Sequence, residues 1–259
     1  MNYALFKLTL RDTRKALNLR TLMIWGTLAA LGVFFFFATS GKTTLMRQGD
    51  IDFMALFLPQ IIFGAWAVLS IYFDLISSDR QHNVLDCILC TGISKPLVFC
   101  GKLVTLVMVS LVLSLTYLIP VTAVIVSTSH NMAHWMVVVQ YFLPLWGYIM
   151  VYASMGIAIS VLARSTKTAL ISSLACGLIL MPRFFVLIVD GFGIAFHWTQ
   201  KVKESISLIA PGIMMEALAH YQGTAQYIKV TAVFTTGIIV FLAIAFISFC
   251  KQDELNYGE

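Results

Sequence analysis

Long apolar blocks alternate with short polar stretches along the chain, and each block is close to the length of a bilayer-crossing helix. About 20 apolar residues cross a hydrocarbon core of about 30 Å. The blocks predict six transmembrane helices, at residues 21–39, 54–76, 103–127, 136–162, 169–189 and 230–249. Pro120 and Pro144 fall inside the third and fourth, and Pro120 lacks the backbone donor that a straight helix uses. The first block exceeds a signal-peptide core of about 7–15 residues. More spans follow it, so it is read as an uncleaved span. No polar stretch is long enough to bury a core of its own. The expected fold class is therefore an all-α membrane protein, with one transmembrane domain over residues 1–259.

Three polar stretches carry patterns of their own. In residues 2–20, Lys7, Arg11, Arg14, Lys15 and Asn18 form one polar stripe, with Phe6, Leu10 and Leu17 on another face. A basic amphipathic helix of this kind lies along an anionic membrane surface. In residues 77–102, Val84, Leu85, Ile88 and Leu89 recur at helical spacing until Thr91 and Gly92 break the run. A second short helix is expected from Ser94, with Pro96 in its first turn. Residues 190–229 hold two short apolar runs, 206–210 and 213–219, separated by Pro211 and Gly212. Neither is long enough to span, so paired short helices dipping into the outer leaflet are expected.

Composition sharpens this picture. Of 259 residues, 59% are hydrophobic and 11% charged, against about 45–50% and about 25% in soluble domains. The net charge of +5 does not point to nucleic acid, because five of the 17 basic residues lie before Thr21, beside the first span. Six spans place both termini on one side of the membrane. Assigning that side to the cytoplasm puts 11 basic residues inside and six outside, the arrangement the positive-inside rule favours. Residues 77–102 then face the cytoplasm. The five cysteines lie in or near spans or in this loop, so no disulfide framework is expected.

Residues 77–102 also carry a family likeness. Asp79 and Arg80 open the stretch. Asn83, Val84, Leu85 and Asp86 follow, then Leu89, then Thr91, Gly92, Ile93, Ser94 and Lys95, and Gly101 with Lys102 closes it. This resembles the loop between the second and third spans of ABC-2 type transporter permeases, which reads acidic-Arg, Gly-Thr-Leu-Glu, a Leu run, Thr-Pro-Val-Ser-Arg and Gly-Lys. The chain departs from that pattern at Asn83 for Gly, Val84 for Thr and Gly92 for Pro. The resemblance implies an elbow helix at the N-terminus, a cytoplasmic coupling helix between spans 2 and 3, and short re-entrant outer helices before span 6. It implies an ATPase-coupling loop made by Asp79, Arg80, Asn83, Leu85, Asp86, Leu89, Ser94, Lys95, Gly101 and Lys102. It also implies partners: two copies of a separate ABC ATPase subunit, which hold the ATP and Mg, and a second permease copy or a related permease. The setting implied is the inner membrane of a prokaryote, with both termini cytoplasmic. The function implied is export of an amphipathic substrate (a drug, lipid or peptide). The residues alone leave two alternatives open: an ATP-independent secondary transporter or channel, and a non-transporting assembly subunit.

Other candidate sites are read beside their structural alternatives. Gly41, Lys42, Thr43 and Thr44 suggest a phosphate-binding loop, but Phe36 stands where that motif needs its first Gly, so the loop is rejected. Cys87 and Cys90 form a C-x-x-C without a second pair nearby. They read as small apolar side chains rather than metal ligands. His130, Met132 and His134 alternate as in soft-metal loops, but fit an interfacial segment anchored by Trp135 better. No resident metal is expected. Arg183, inside a span, needs a polar partner, for which Asp190 is the candidate. Glu216 and Arg183 are the candidates for the substrate path. No pattern for catalysis by the chain itself is present.

Overall fold

The computed structural model describes residues 3–40, 53–90, 92–129, 141–220 and 224–251. All regular structure among them is helical. The elements are α1 (Tyr3–Ala16), α2 (Leu19–Ser40), α3 (Phe53–Tyr72), α4 (Ser77–Gln81), α5 (Val84–Cys90) and α6 (Lys95–Ser129). They continue with α7 (Phe142–Leu162), α8 (Thr166–Ile179), α9 (Pro182–Ala195), α10 (Gln200–Ser207), α11 (Pro211–His220) and α12 (Thr224–Lys251). Among the described residues, five helices are long and apolar enough to cross a membrane, or six if α8 and α9 form one bent span.

The helix α7 is the axis of the bundle. It packs against α3, α6, α8, α11 and α12, and most side chains along it are buried. Its uniformly apolar sequence suits that position, since a helix apolar on all sides belongs in the middle. By contrast α2, α8, α9 and α12 leave large apolar side chains open, among them Phe34, Ile171, Leu187 and Ile239. Within a bilayer those faces are solvated by lipid.

Two features bring the spans close. Tyr and Trp side chains donate to carbonyls of neighbouring helices: Trp25 Nε1 to Leu113, Tyr117 to Leu56 at 2.6 Å, and Tyr148 to Gln60 at 2.9 Å. Small residues sit at the crossings. A Cβ added at Gly32 of α2 would lie 2.5 Å from the Leu56 carbonyl oxygen of α3, and one at Gly156 of α7 would lie 2.8 Å from Tyr72 Cβ. Van der Waals contact of this kind, without a hydrophobic drive, holds helices together in lipid.

Three expected elements change shape. The short helix expected from Ser94 is continuous with the third span. At about 1.5 Å per residue, the 35-residue α6 is about 52 Å long, and it continues through Pro120. The fifth span, expected at 169–189, is broken: α8 and α9 meet at 75°. Pro182 supplies no N–H at the first position of α9, and Met181 before it is extended (ψ 131°). The first short connector helix covers Gln200–Ser207 rather than 206–210, which falls at its end and the following turn. Only α11 enters the bundle, against α3 and α7, burying Met214, Met215 and Leu218.

Gly32→Ala should cost about 1–3 kcal/mol through overpacking and lower the thermal midpoint in detergent. Gly26→Ala on the same helix, where an added Cβ meets nothing within 4 Å, should not lower it.

Candidate functional site

The residues between α3 and α6 form a short crossbar at one end of the bundle. Its helices α4 and α5 are joined through Asn83, whose φ is +54°, and α5 ends before Gly92 at φ +79°. Asn tolerates the left-handed region better than most residues, so it can replace Gly at position 83. Proline, fixed near φ −65°, could not adopt the backbone of Gly92. The two departures from the family pattern thus accompany left-handed turns here.

The crossbar is fastened on both sides. On one side, Lys102 of α6 is 1% exposed and points its ammonium at three acceptors. These are Asp12 Oδ2 at 2.6 Å, the Leu75 carbonyl at 2.9 Å and Asp79 Oδ2. Three donors meet three acceptors, which a buried ammonium requires. Arg11 Nη2 donates to Asp79 at 2.8 and 3.0 Å and to Asp12 at 2.8 Å, so two cations face two carboxylates. Burial lowers the Arg11 pKa, but its hydrogen bond to Asp12 and the charges of Asp12 and Asp79 outweigh that and hold it raised. Lys15 and Asp74 add a pair at 2.8 Å. On the other side, the Arg80 guanidinium donates to the Val161 and Ala163 carbonyls at 3.2 Å, closing the C-terminal end of α7. Ser160 Oγ accepts the Ile76 and Ser77 N–H groups at 2.9 Å, and Gln81 Oε1 accepts the Thr166 hydroxyl at 2.6 Å.

Farther from the crossbar, the α8–α9 elbow, α3 and α11 enclose a cleft of about 310 Å³. Arg183 and Glu216 both line it, with Arg183 Nη2 at 3.7 Å from Glu216 Oε1.

A family model described as ABC-2 family transporter protein matches residues 15–254. The chain belongs to the ABC-2 transporter family. No curated protein matches it. It is the membrane component of an ABC-type transporter, a kind of permease that generally works with an ABC ATPase partner.

In this ABC-2 permease the charged residues of the expected ATPase-coupling loop divide into two groups. Asp79 and Lys102 are buried in the cluster, and half-buried Arg80 is turned onto α7, so these three point into the protein rather than out to a docking face. Asn83, Asp86 and Ser94 are exposed, and Lys95 is half-buried. Leu85 and Leu89 pack on the core, and Gly101 is buried in α6. Cys87 and Cys90 are free and exposed beside Asp86. The Arg183 partner is Glu216 rather than Asp190, which pairs with Lys203 at 3.7 Å. Seven residues of helix separate Arg183 from Asp190 by about 10 Å, whereas α11 brings Glu216 alongside. The Gly41–Thr44 run, His130, Met132 and His134 lie outside the described residues.

Sequence reasoning missed Asp12 and gave Arg11 to a solvated stripe. Asp12 carried a signal: it is the sole acid in residues 2–20, and it shares a face with Leu8 and Ala16, both buried.

Lys102→Met would leave two buried carboxylates with only Arg11, so it should cost about 3–5 kcal/mol. Arg11→Ala removes a guanidinium that is 45% exposed and should cost about 1 kcal/mol or less. Adding Asp12→Asn and Asp79→Asn to Lys102→Met should recover most of the loss. Unfolding midpoints of the purified variants check all three.

Proposed function

We propose that this permease is the membrane half of an ATP-driven exporter of amphipathic substrates, a drug, lipid or peptide. Two copies, or one copy and a related permease, pair to carry the path between them. Two separate ATPase subunits, holding ATP and Mg, dock on the crossbar. Both termini and the crossbar face the cytoplasm of a prokaryote, across its inner membrane.

The observation that carries this reading is the double fastening of α4. Asp79 and Arg80 are adjacent, yet one is tied to α1 and α6 and the other to the C-terminal end of α7. The outer side of α5, with Asp86, Cys87 and Cys90, is left open beyond that clamp. A partner pushing on α5 would move both halves of the bundle as rigid bodies, which is how short interfacial helices transmit closure. The docking contacts then come from Asn83, Asp86 and their exposed neighbours. Asp79, Arg80 and Lys102 act as positioning residues behind them.

A self-contained secondary transporter is the second reading, and the broken α8–α9 pair favours it, since such transporters bind substrate at interrupted helices. Family membership weighs against it.

Capture of the tagged permease from mild detergent, with mass spectrometry of what accompanies it, tests the proposal. A stoichiometric ATPase, lost when residues 82–90 become a Gly/Ser linker and weakened by Asp86→Lys, is the expected result. Cys87 and Cys90 should take up an impermeant maleimide in inside-out vesicles and be protected when the ATPase is bound. Labelling from the outer face, or no ATPase with the intact chain, would overturn the assignment.

A further inference from the structure

The cleft at the α8–α9 elbow has an uneven charge distribution. Its walls are apolar, with Leu58, Ile61 and Ile62 from α3 and Leu178, Phe184 and Leu187 from α8 and α9. Its volume of about 310 Å³ matches the lower end of small-molecule sites, about 300–1,000 Å³. Glu216 and Arg183 are the charged residues of its lining. They differ in how they are held. The Glu216 side chain is 24% exposed and rises from a helix anchored by buried Met214, Met215 and Leu218. The Arg183 side chain is 91% exposed, and its 3.7 Å approach is longer than a hydrogen bond. Glu216 is the more deeply seated charge of the cleft and Arg183 the more loosely held one.

We propose that this cleft binds a lipophilic cation: an organic ammonium with an apolar body, its charge on Glu216 and its body against α3 and the elbow. Arg183 is not packed by the protein, so it can leave the carboxylate without disturbing the core. The incoming cation replaces a loose ion pair with a direct charge-assisted hydrogen bond or close ion contact in apolar surroundings. Arg183 is then a tethered competitor that occupies the carboxylate when the cleft is empty. An anionic ligand would meet the opposite arrangement, a seated like charge inside and a cation already paired with it. A bare metal ion is not matched either, since one carboxylate among hydrocarbon side chains supplies too few oxygens.

The cleft's neighbours tie it to motion. A Cβ added at Gly212, the second residue of α11, would lie 2.7 Å from Pro182 Cγ and 3.3 Å from the Ile61 carbonyl oxygen. The start of α11 is therefore wedged against the elbow and against α3 at the cleft itself, so a shift of α11 changes its shape. The proposal deepens the export reading and rests on it for the fate of the ligand.

Binding is measured on the full-length permease alone in nanodiscs, so a failed ligand assay and a failed ATPase capture remain separate results. Two probes share an apolar body and differ in sign: (4-phenylbutyl)trimethylammonium and 4-phenylbutane-1-sulfonate. Equilibrium dialysis against empty nanodiscs reads the difference. The ammonium should bind and the sulfonate should not. Glu216→Gln should weaken the ammonium about tenfold, as loss of a charged partner does. Arg183→Gln should tighten it about threefold, the worth of an exposed competing pair. Leu187→Trp, at a position open to the outside, narrows the cleft and should weaken the ammonium while leaving the folded protein intact by size exclusion. Preference for the sulfonate, equal ammonium binding by the wild type and Glu216→Gln, or weaker binding by Arg183→Gln would each overturn the proposal. The last result would instead fit a zwitterionic headgroup using both charges.

Discussion

A buried ammonium sets the terms for one end of this protein. The Lys102 side chain lies where water does not reach, and an unpaired charge there would cost several kcal/mol. It is held only if Asp12, Asp79 and the Leu75 carbonyl are all present at once. These come from the N-terminal helix, the crossbar and the end of the second span. One requirement of charge therefore fixes the mutual placement of three segments that are far apart in the chain. Arg11 and Lys15 extend the tie to the same N-terminal helix. The helix α1 is thus a structural member of the bundle as well as an amphipathic one.

The rest of the bundle uses weaker and more numerous contacts. Around α7, hydroxyl and indole groups reach backbone carbonyls, and glycines let helices approach. Such contacts suit a membrane, where burial of apolar surface gives no preference for protein over lipid. The two regimes meet at Ser160 to Ala163, where the axis helix ends on Arg80 and on two N–H groups of the crossbar. The electrostatic end and the packed middle are thereby one continuous structure.

Much of this was legible in the sequence. Apolar block length placed the continuous spans, because crossing a bilayer imposes a length that no soluble context imposes. Spacing at Val84, Leu85, Ile88 and Leu89 placed α5. The inward turn of Asp79 and Lys102 was not legible, because a run of charged residues usually marks a solvated face, and the partner that reverses this sits near the N-terminus. Asp12 was the visible trace, an acid among bases on a helix face shared with Leu8 and Ala16. The break at Pro182 was hidden by hydropathy, which sums apolar character without regard to a missing N–H. The pairing of Arg183 with Glu216 depends on α11 folding back against the α8–α9 elbow, which spacing along one helix cannot foresee.

The adjacency of Asp79 and Arg80 also bears on how the chain is made. As the protein emerges, Asp12 and Asp79 are both synthesised before the lysine that neutralises them, and Ser160 and Ala163 follow nearly sixty residues later still. The crossbar therefore cannot be fastened until the third span has begun to enter the membrane, and its second side stays open until the fourth is complete. During that interval the two carboxylates have Arg11 as their neighbouring cation, and not Lys102. The N-terminal helix is committed to its final seat only after half the spans have been made, so assembly at this end runs from the inside of the sequence back toward its beginning.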